Sequence, residues 1–188
     1  MITVAEHTYE ETLLPEEAKV MDVGCRGFLF TDELRRLGHL VYAIDIESLW
    51  PRQNFICAIA GETGRCMLKK SSDPQATTIL KSHGIPLDGF DVPMYTIKDF
   101  SQMVKVDFWD IIKMDIEGSE YEVIMSLTEP PAKQLSIEFH LHTGVYGIQD
   151  VRKMEAKLHS LGYEFAKHVQ TSQHGMGMNY WDSLFILK

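Results

Sequence analysis

Apolar residues in the first part of the chain fall in short runs punctuated by glycine. Residues 19–24, Lys-Val-Met-Asp-Val-Gly, read as a short buried strand entering a glycine turn. Leu29, Phe30, Leu34 and Leu37 then recur at helical spacing, with Asp32 and Glu33 between them and Gly38 placed to stop the helix. Residues 40–45, Leu-Val-Tyr-Ala-Ile-Asp, form a second apolar run ending in an acid. Strand, glycine turn, helix, strand and acid make the first half of a doubly wound α/β sheet.

The stretch 46–52 is too short for a crossover helix, so the link to a third strand at 55–59 should shrink to a turn. Gly61 and Gly64 then suggest a hairpin between 55–59 and 65–69. Residues 71–89 show no period and read as a long surface excursion. From Val92 a run passes through Tyr95, Asp99 and Phe100, and 108–115 reads as a central strand. Gly118 and Ser119 open a helix that runs to Leu127, and a strand follows at 134–140. Val151, Met154, Leu158 and Leu161 share one face of a helix at 150–161, with Gly162 as its stop. An antiparallel pair at 163–169 and 181–187, joined by the loop 171–180, closes the chain. No repeat or linker demands a second domain, so residues 1–188 are expected to form one domain behind a short polar lead, 1–18.

Composition narrows the class. Hydrophobic residues at 45% and charged residues at 24% of 188 allow a core that needs neither disulfide nor metal. A net charge of −9 opposes tracking a polyphosphate backbone, so no nucleic-acid partner is expected. Cys25, Cys57 and Cys66 have neither zinc nor redox spacing and suit a reducing cytosol. The start, MITVAEHTYEE, lacks the positive region of a signal peptide, and no apolar run approaches a membrane span. A soluble, cytoplasmic protein with no membrane partner is the expectation, and a homodimer is the default assembly.

Two places carry candidate chemistry. Asp22-Val23-Gly24-Cys25-Arg26-Gly27 sets two glycines between strand and helix, where missing side chains let a ligand approach the backbone. Asp45, at the next strand end, can accept hydrogen bonds from both hydroxyls of a ribose. Asp22 stands where a dinucleotide fingerprint has its first glycine; it would repel a pyrophosphate but suits a ligand bearing an ammonium. The same fragment also serves as a plain tight turn, with Asp45 capping a loop.

The second place is Lys113-Met114-Asp115-Ile116-Glu117-Gly118-Ser119-Glu120, ending the central strand and opening a helix. Asp115 and Glu117 then lie at the ligand edge of the sheet, where neighbouring carboxylates require a cation, a metal or a proton. Acids here also serve as helix caps, the role expected of Glu120. His140 and His142 follow the next strand and face one side if extension continues. With Asp115 they could take a hydroxyl proton or share a divalent metal; surface histidines satisfied by loop carbonyls are the alternative, favoured for His142. The identity of any metal is left open.

These residues resemble a known family. The 113–120 segment resembles the K-[IM]-D-[IV]-E-G-x-E signature of FkbM-type S-adenosylmethionine-dependent methyltransferases, and it follows a similar run at 92–100. Residues 23–27 resemble the family's cofactor motif, and 58–64 its third-strand segment ending in glycine. The resemblance implies a single class I methyltransferase (Rossmann-like) domain with a mostly parallel seven-stranded sheet and an antiparallel C-terminal strand. It implies S-adenosyl-L-methionine as cofactor, with Asp22, Gly24 and Gly27 around its methionine and ribose, Asp45 on the ribose hydroxyls, Ile46 on one adenine face, and Ala60 or Gly61 at the adenine edge. It further implies O-methylation of a hydroxyl on a small molecule or sugar, with Asp115 and Glu117 beside the acceptor; a metal held near these acids, Mg being the candidate, is the chemical alternative to a base for releasing the hydroxyl proton. His140 as proton acceptor comes from the strand-end reading, since no family motif fixes it. The regions 71–89 and 173–180 would cover the acceptor. Two rivals remain: an NAD-dependent oxidoreductase or epimerase, weakened by Asp22 and by the lack of a Tyr-x-x-x-Lys pair, and a non-catalytic nucleoside-binding interaction module.

Overall fold

The apolar runs become strands in the order their spacing predicts, with additions at both flanks of the sheet. In the computed structural model, residues 1–49, 51–70, 77–78, 85–141, 144–170 and 180–188 are described. The N-terminal half comprises β1 (Ile2–Val4), β2 (His7–Tyr9), β3 (Lys19–Val23), α1 (Leu29–Arg36), β4 (Leu40–Asp45), β5 (Phe55–Ile56), β6 (Ala58–Ile59), β7 (Gly64–Lys70), β8 (Thr77–Thr78) and β9 (Ile85–Tyr95). The C-terminal half comprises α2 (Ile97–Val104), β10 (Trp109–Met114), α3 (Glu120–Ser126), β11 (Ala132–His140), α4 (Ile148–Ser160), β12 (Tyr163–Gln170) and β13 (Tyr180–Leu187).

Seven strands form one sheet in the order β12-β13-β11-β10-β3-β4-β5. Pairings from β11 through β5 are parallel, while β13 runs antiparallel to both β11 and β12. This is the mostly parallel sheet with an antiparallel C-terminal strand that the family resemblance implies. The link between β4 and β5 holds no helix among its described residues, and β5 pairs with β4 at Ile44–Phe55 and Asp45–Ile56.

Two local expectations need correction, and the polar lead adds a hairpin. The hairpin between 55–59 and 65–69 does not form: β9 lies between β6 and β7, pairing parallel with the first and antiparallel with the second. Of the excursion at 71–89, residues 85–89 begin β9 and 77–78 form β8; 71–76 and 79–84 lie outside the described residues, as does the loop at 171–179. The polar lead is structured, because β1 and β2 form an antiparallel hairpin whose His7, Thr8 and Tyr9 are buried.

Alternation on the central strands sends neighbouring side chains to opposite faces. Met21 and Ile112 join a large cluster that includes Phe100 of α2, Val123 and Ile124 of α3, and Met154 of α4. Val20 and Ile111 join Phe30 and Leu34 of α1 and Tyr9 of the hairpin. With both faces covered, β10 is buried along its length except at half-buried Asp110, even at the charged Lys113. In α1 the face is narrower than the spacing suggests, since Leu29 is exposed. The run after Tyr95 is a helix, started by the Thr96 hydroxyl accepting from the Asp99 amide at 3.1 Å.

Candidate active site

Strands β3, β4, β10 and β11 deliver their carboxyl ends to one edge, with β3 and β10 adjacent at the point where the chain's winding reverses. The glycine turn is tied to β4 by the amides of Gly24 and Cys25, which both donate to the Ile44 carbonyl at 2.9 and 3.1 Å. Gly24, at φ +75°, passes so close to β10 that a methyl group there would overlap the Asp115 carbonyl oxygen. Gly27, at φ +83°, faces open space: nothing lies within 4 Å of where its Cβ would be. The turn is therefore pinned at one glycine and open at the other.

Asp45 ends β4, and one of its carboxylate oxygens accepts from the Glu47 amide at 3.0 Å. Burial pushes its carboxyl above the usual range. Ile46 packs against a small cluster of Ala58, Ala60 and Met94. Gly61 fits closely beneath α3, since a Cβ there would come 2.8 Å from the Glu122 carbonyl oxygen. Asp22 is buried under the turn, where it accepts from the Thr31 hydroxyl and lies 3.3 Å from Lys113 Nζ.

Lys113 anchors the middle of the site. Its buried Nζ donates to the Gly24 carbonyl at 2.6 Å and to Asp115 Oδ2 at 3.3 Å. Burial opposes its charge, but Asp115 and Asp22 outweigh that and raise its pKa. Asp115 responds in the opposite sense: burial favours its neutral form, yet Lys113, His140 and His7 hold it well below the usual carboxylate range.

His140 closes the cluster from β11. Its Nε2 lies 3.3 Å from Asp115 Oδ1 and 4.0 Å from Glu117 Oε1, while Nδ1 meets Glu120 Oε1 at 2.6 Å. Glu120 is fully buried; it also accepts from the Ile116 and Gly118 amides at 3.3 and 3.2 Å and from the Tyr146 hydroxyl at 2.9 Å. Glu120 thus ties down the turn that leads into α3 rather than capping the helix amides, and it also holds the His140 ring. Burial disfavours the imidazolium, but Glu120 and Asp115 outweigh it and raise the pKa well above the usual histidine value.

Sequence reasoning missed His7, Glu138 and Asp182. His7 reaches from β2 to within 3.7 Å of Asp115 Oδ2 through Nε2, and its Nδ1 lies 3.4 Å from Asp182 Oδ1 on β13. Glu138 Oε2 lies 3.9 Å from His140 Nε2; burial first, and Asp115 next, push its carboxyl up to about 7. A signal for Glu138 existed, because Ser136, Glu138 and His140 alternate along β11 and share a face. Nothing in the local sequence marks His7. His142 lies outside the described residues.

Among known proteins, residues 51–165 match the family model described as the Methyltransferase FkbM domain. Asp115, Glu117, His140, Ala60 and Gly61 fall within that span; the glycine turn, Asp45 and Ile46 precede it. No curated protein sequence matches the chain significantly. Two solved structures share the fold. The fibrillarin pre-rRNA processing protein of Methanococcus jannaschii is 13% identical, with a TM-score of 0.55 over 96% of this chain and 70% of its own. The TehB-like SAM-dependent methyltransferase of Corynebacterium glutamicum is 13% identical, with a TM-score of 0.50 over 95% and 84%.

Proposed function

We propose the following on one premise: the chain belongs to the FkbM methyltransferase family. It binds S-adenosyl-L-methionine at the ends of β3 and β4 and methylates a hydroxyl of a small molecule or sugar, with residues 1–188 acting as one domain. The observation that carries the reading is the open turn at Gly27 beside the strand-end carboxylate of Asp45. A turn free of side-chain bulk admits a ligand to the backbone, and Asp45 retains an oxygen beyond its Glu47 bond for ribose hydroxyls.

Ile46 and Ala60 offer an apolar wall for adenine, with Gly61 at its edge. Asp22 supports the turn from beneath through Thr31 and Lys113, and Gly24 brings the turn against Asp115. The cofactor supplies a methyl group on a sulfonium, so its transfer discharges a cation. The chain's task is to hold the acceptor oxygen in line and exclude water. Asp115 and Glu117 orient the acceptor hydroxyl, and His140 takes its proton in the neutral form that it adopts above its raised pKa. Glu120 and Asp115 stabilise the imidazolium that proton acceptance creates, with Glu120 also fixing the ring. The net charge of −9 favours a small acceptor over a nucleic acid.

Calorimetric titration of the cofactor-stripped protein with S-adenosylhomocysteine, with NAD in parallel, tests the reading. One-to-one binding of the former alone is expected. Asp45→Ala should weaken it roughly tenfold to hundredfold, the worth of about 1.5–3 kcal/mol for hydrogen bonds to a charged group. Saturable binding of NAD would favour the oxidoreductase reading, and binding of neither would favour an interaction module.

A further inference from the structure

We propose that His7, Asp115 and Glu138 form a divalent-cation site, one ligand of which comes from the N-terminal hairpin. The three residues stand on β2, at the end of β10 and on β11, and their donor atoms all lie within 4.8 Å of one another. Modest side-chain rotation closes such a set on an ion at about 2.0–2.2 Å, with further positions left to water or an acceptor oxygen.

The surroundings of His7 point to a ligand rather than a structural histidine. Its ring is buried, and its Nε2 is aimed at Asp115 Oδ2 from 3.7 Å, too far for a direct hydrogen bond. Behind it, Nδ1 faces Asp182 Oδ1 and Ser136 Oγ, both at 3.4 Å. A carboxylate behind an imidazole fixes the tautomer that leaves Nε2 free to coordinate, which is the usual outer support of a metal-bound histidine. The backing groups are themselves held: the Thr8 amide donates to Ser136 Oγ and to Asp182 Oδ2, each at 3.1 Å, and Ser136 Oγ donates to Asp182 Oδ1 at 3.2 Å. These bonds lock the hairpin to β11 and β13, so the ring is aimed by the whole fold.

Charge points the same way. Asp115 and Glu138 meet at one locus whose cationic neighbours are shared with other carboxylates: Lys113 also serves Asp22, and His140, 3.3 Å from Asp115 and 3.9 Å from Glu138, also serves Glu120. Lys113 occupies one lone pair of Asp115 Oδ2, which leaves another for an ion. Two carboxylates and one imidazole suit Mn²⁺ or Zn²⁺ better than an all-oxygen Mg²⁺ cage.

The site lies on the acceptor side of the pocket proposed above, but cation binding itself needs neither cofactor nor acceptor. The test is titration of the chelator-treated full chain with Mn²⁺, following the free-ion signal by electron paramagnetic resonance. One equivalent should bind saturably. His7→Gln and Glu138→Gln should each weaken binding at least roughly tenfold, and Asp182→Asn roughly 10–100-fold through the imidazole. Glu129→Gln, in an exposed ion pair with Lys98, should leave it unchanged. Circular dichroism checks each variant's fold; if His7→Gln does not fold, Glu138→Gln, which alters no backbone anchor, carries the test. Absence of saturable binding, or equal binding by the wild type and Glu138→Gln, would overturn the site. Because S-adenosylhomocysteine is titrated separately without metal, failure of either reading leaves the other standing.

Discussion

Replacing Gly24 with alanine probes the contact on which the site's geometry turns. At φ +75° the added methyl would overlap the Asp115 carbonyl oxygen and lie 2.9 Å from its carbonyl carbon. A non-glycine residue in the left-handed region costs about 1–2 kcal/mol. Moving packed backbone to relieve the overlap adds about 1–3 kcal/mol. The displaced segments carry the Asp115 amide bond to the Val23 carbonyl at 3.1 Å and the Gly24 amide bond to Ile44, so relief by loop movement strains both. Gly27→Ala is the matched control: at φ +83° it meets nothing within 4 Å and bears only the conformational cost. Alanine's stabilising effect through the unfolded chain is common to the two variants and cancels in their difference. That difference, about 1–3 kcal/mol, should appear in thermal melts followed by circular dichroism as a midpoint roughly 2–12 °C lower for Gly24→Ala. Equal midpoints would refute the close approach of the turn to β10, and with it the placement of Asp115 beside the glycine turn.

Two further outcomes follow from buried groups. Glu120→Ala leaves the His140 imidazole and the Tyr146 hydroxyl without their buried acceptor, so urea denaturation should show a loss of about 3–5 kcal/mol; a loss under about 1 kcal/mol would mean that the cluster is open to water. Burial pushes the Cys57 thiol up to about 12 and raises that of Cys25 further, so at pH 8 both remain thiols and shielded. Ellman's reagent should therefore label the half-buried Cys66 first in the native protein, and rapid native labelling of Cys57 would contradict its packing.

Period and punctuation in the sequence determined the strand and helix order from 19 to 45 and from 108 to 187, because those elements bury a face at a fixed spacing or stop at a glycine. The same reasoning singled out Gly24, Gly27, Asp45, Asp115 and His140, since position at a strand end follows from local chain order. It went astray at 55–69, where β9 separates two strands that look like hairpin partners: pairing across a long connection is a tertiary choice, and local turn residues do not encode it. Nor does local pattern tell what covers β11. Gln134, Ser136 and His140 alternate with apolar residues as they would beside water, yet all three are buried. The N-terminal hairpin covers that polar face, with Gln134 exchanging hydrogen bonds with the Glu10 backbone at 2.7 and 3.1 Å and the Thr8 amide bonded to Ser136. A polar face is buried only where another element satisfies its hydrogen bonds, and that partner lies more than 120 residues away. The sequence by itself determined the order of the sheet's elements and singled out two strand ends; only the folded chain decided that His7 belongs beside the carboxylate at one of them.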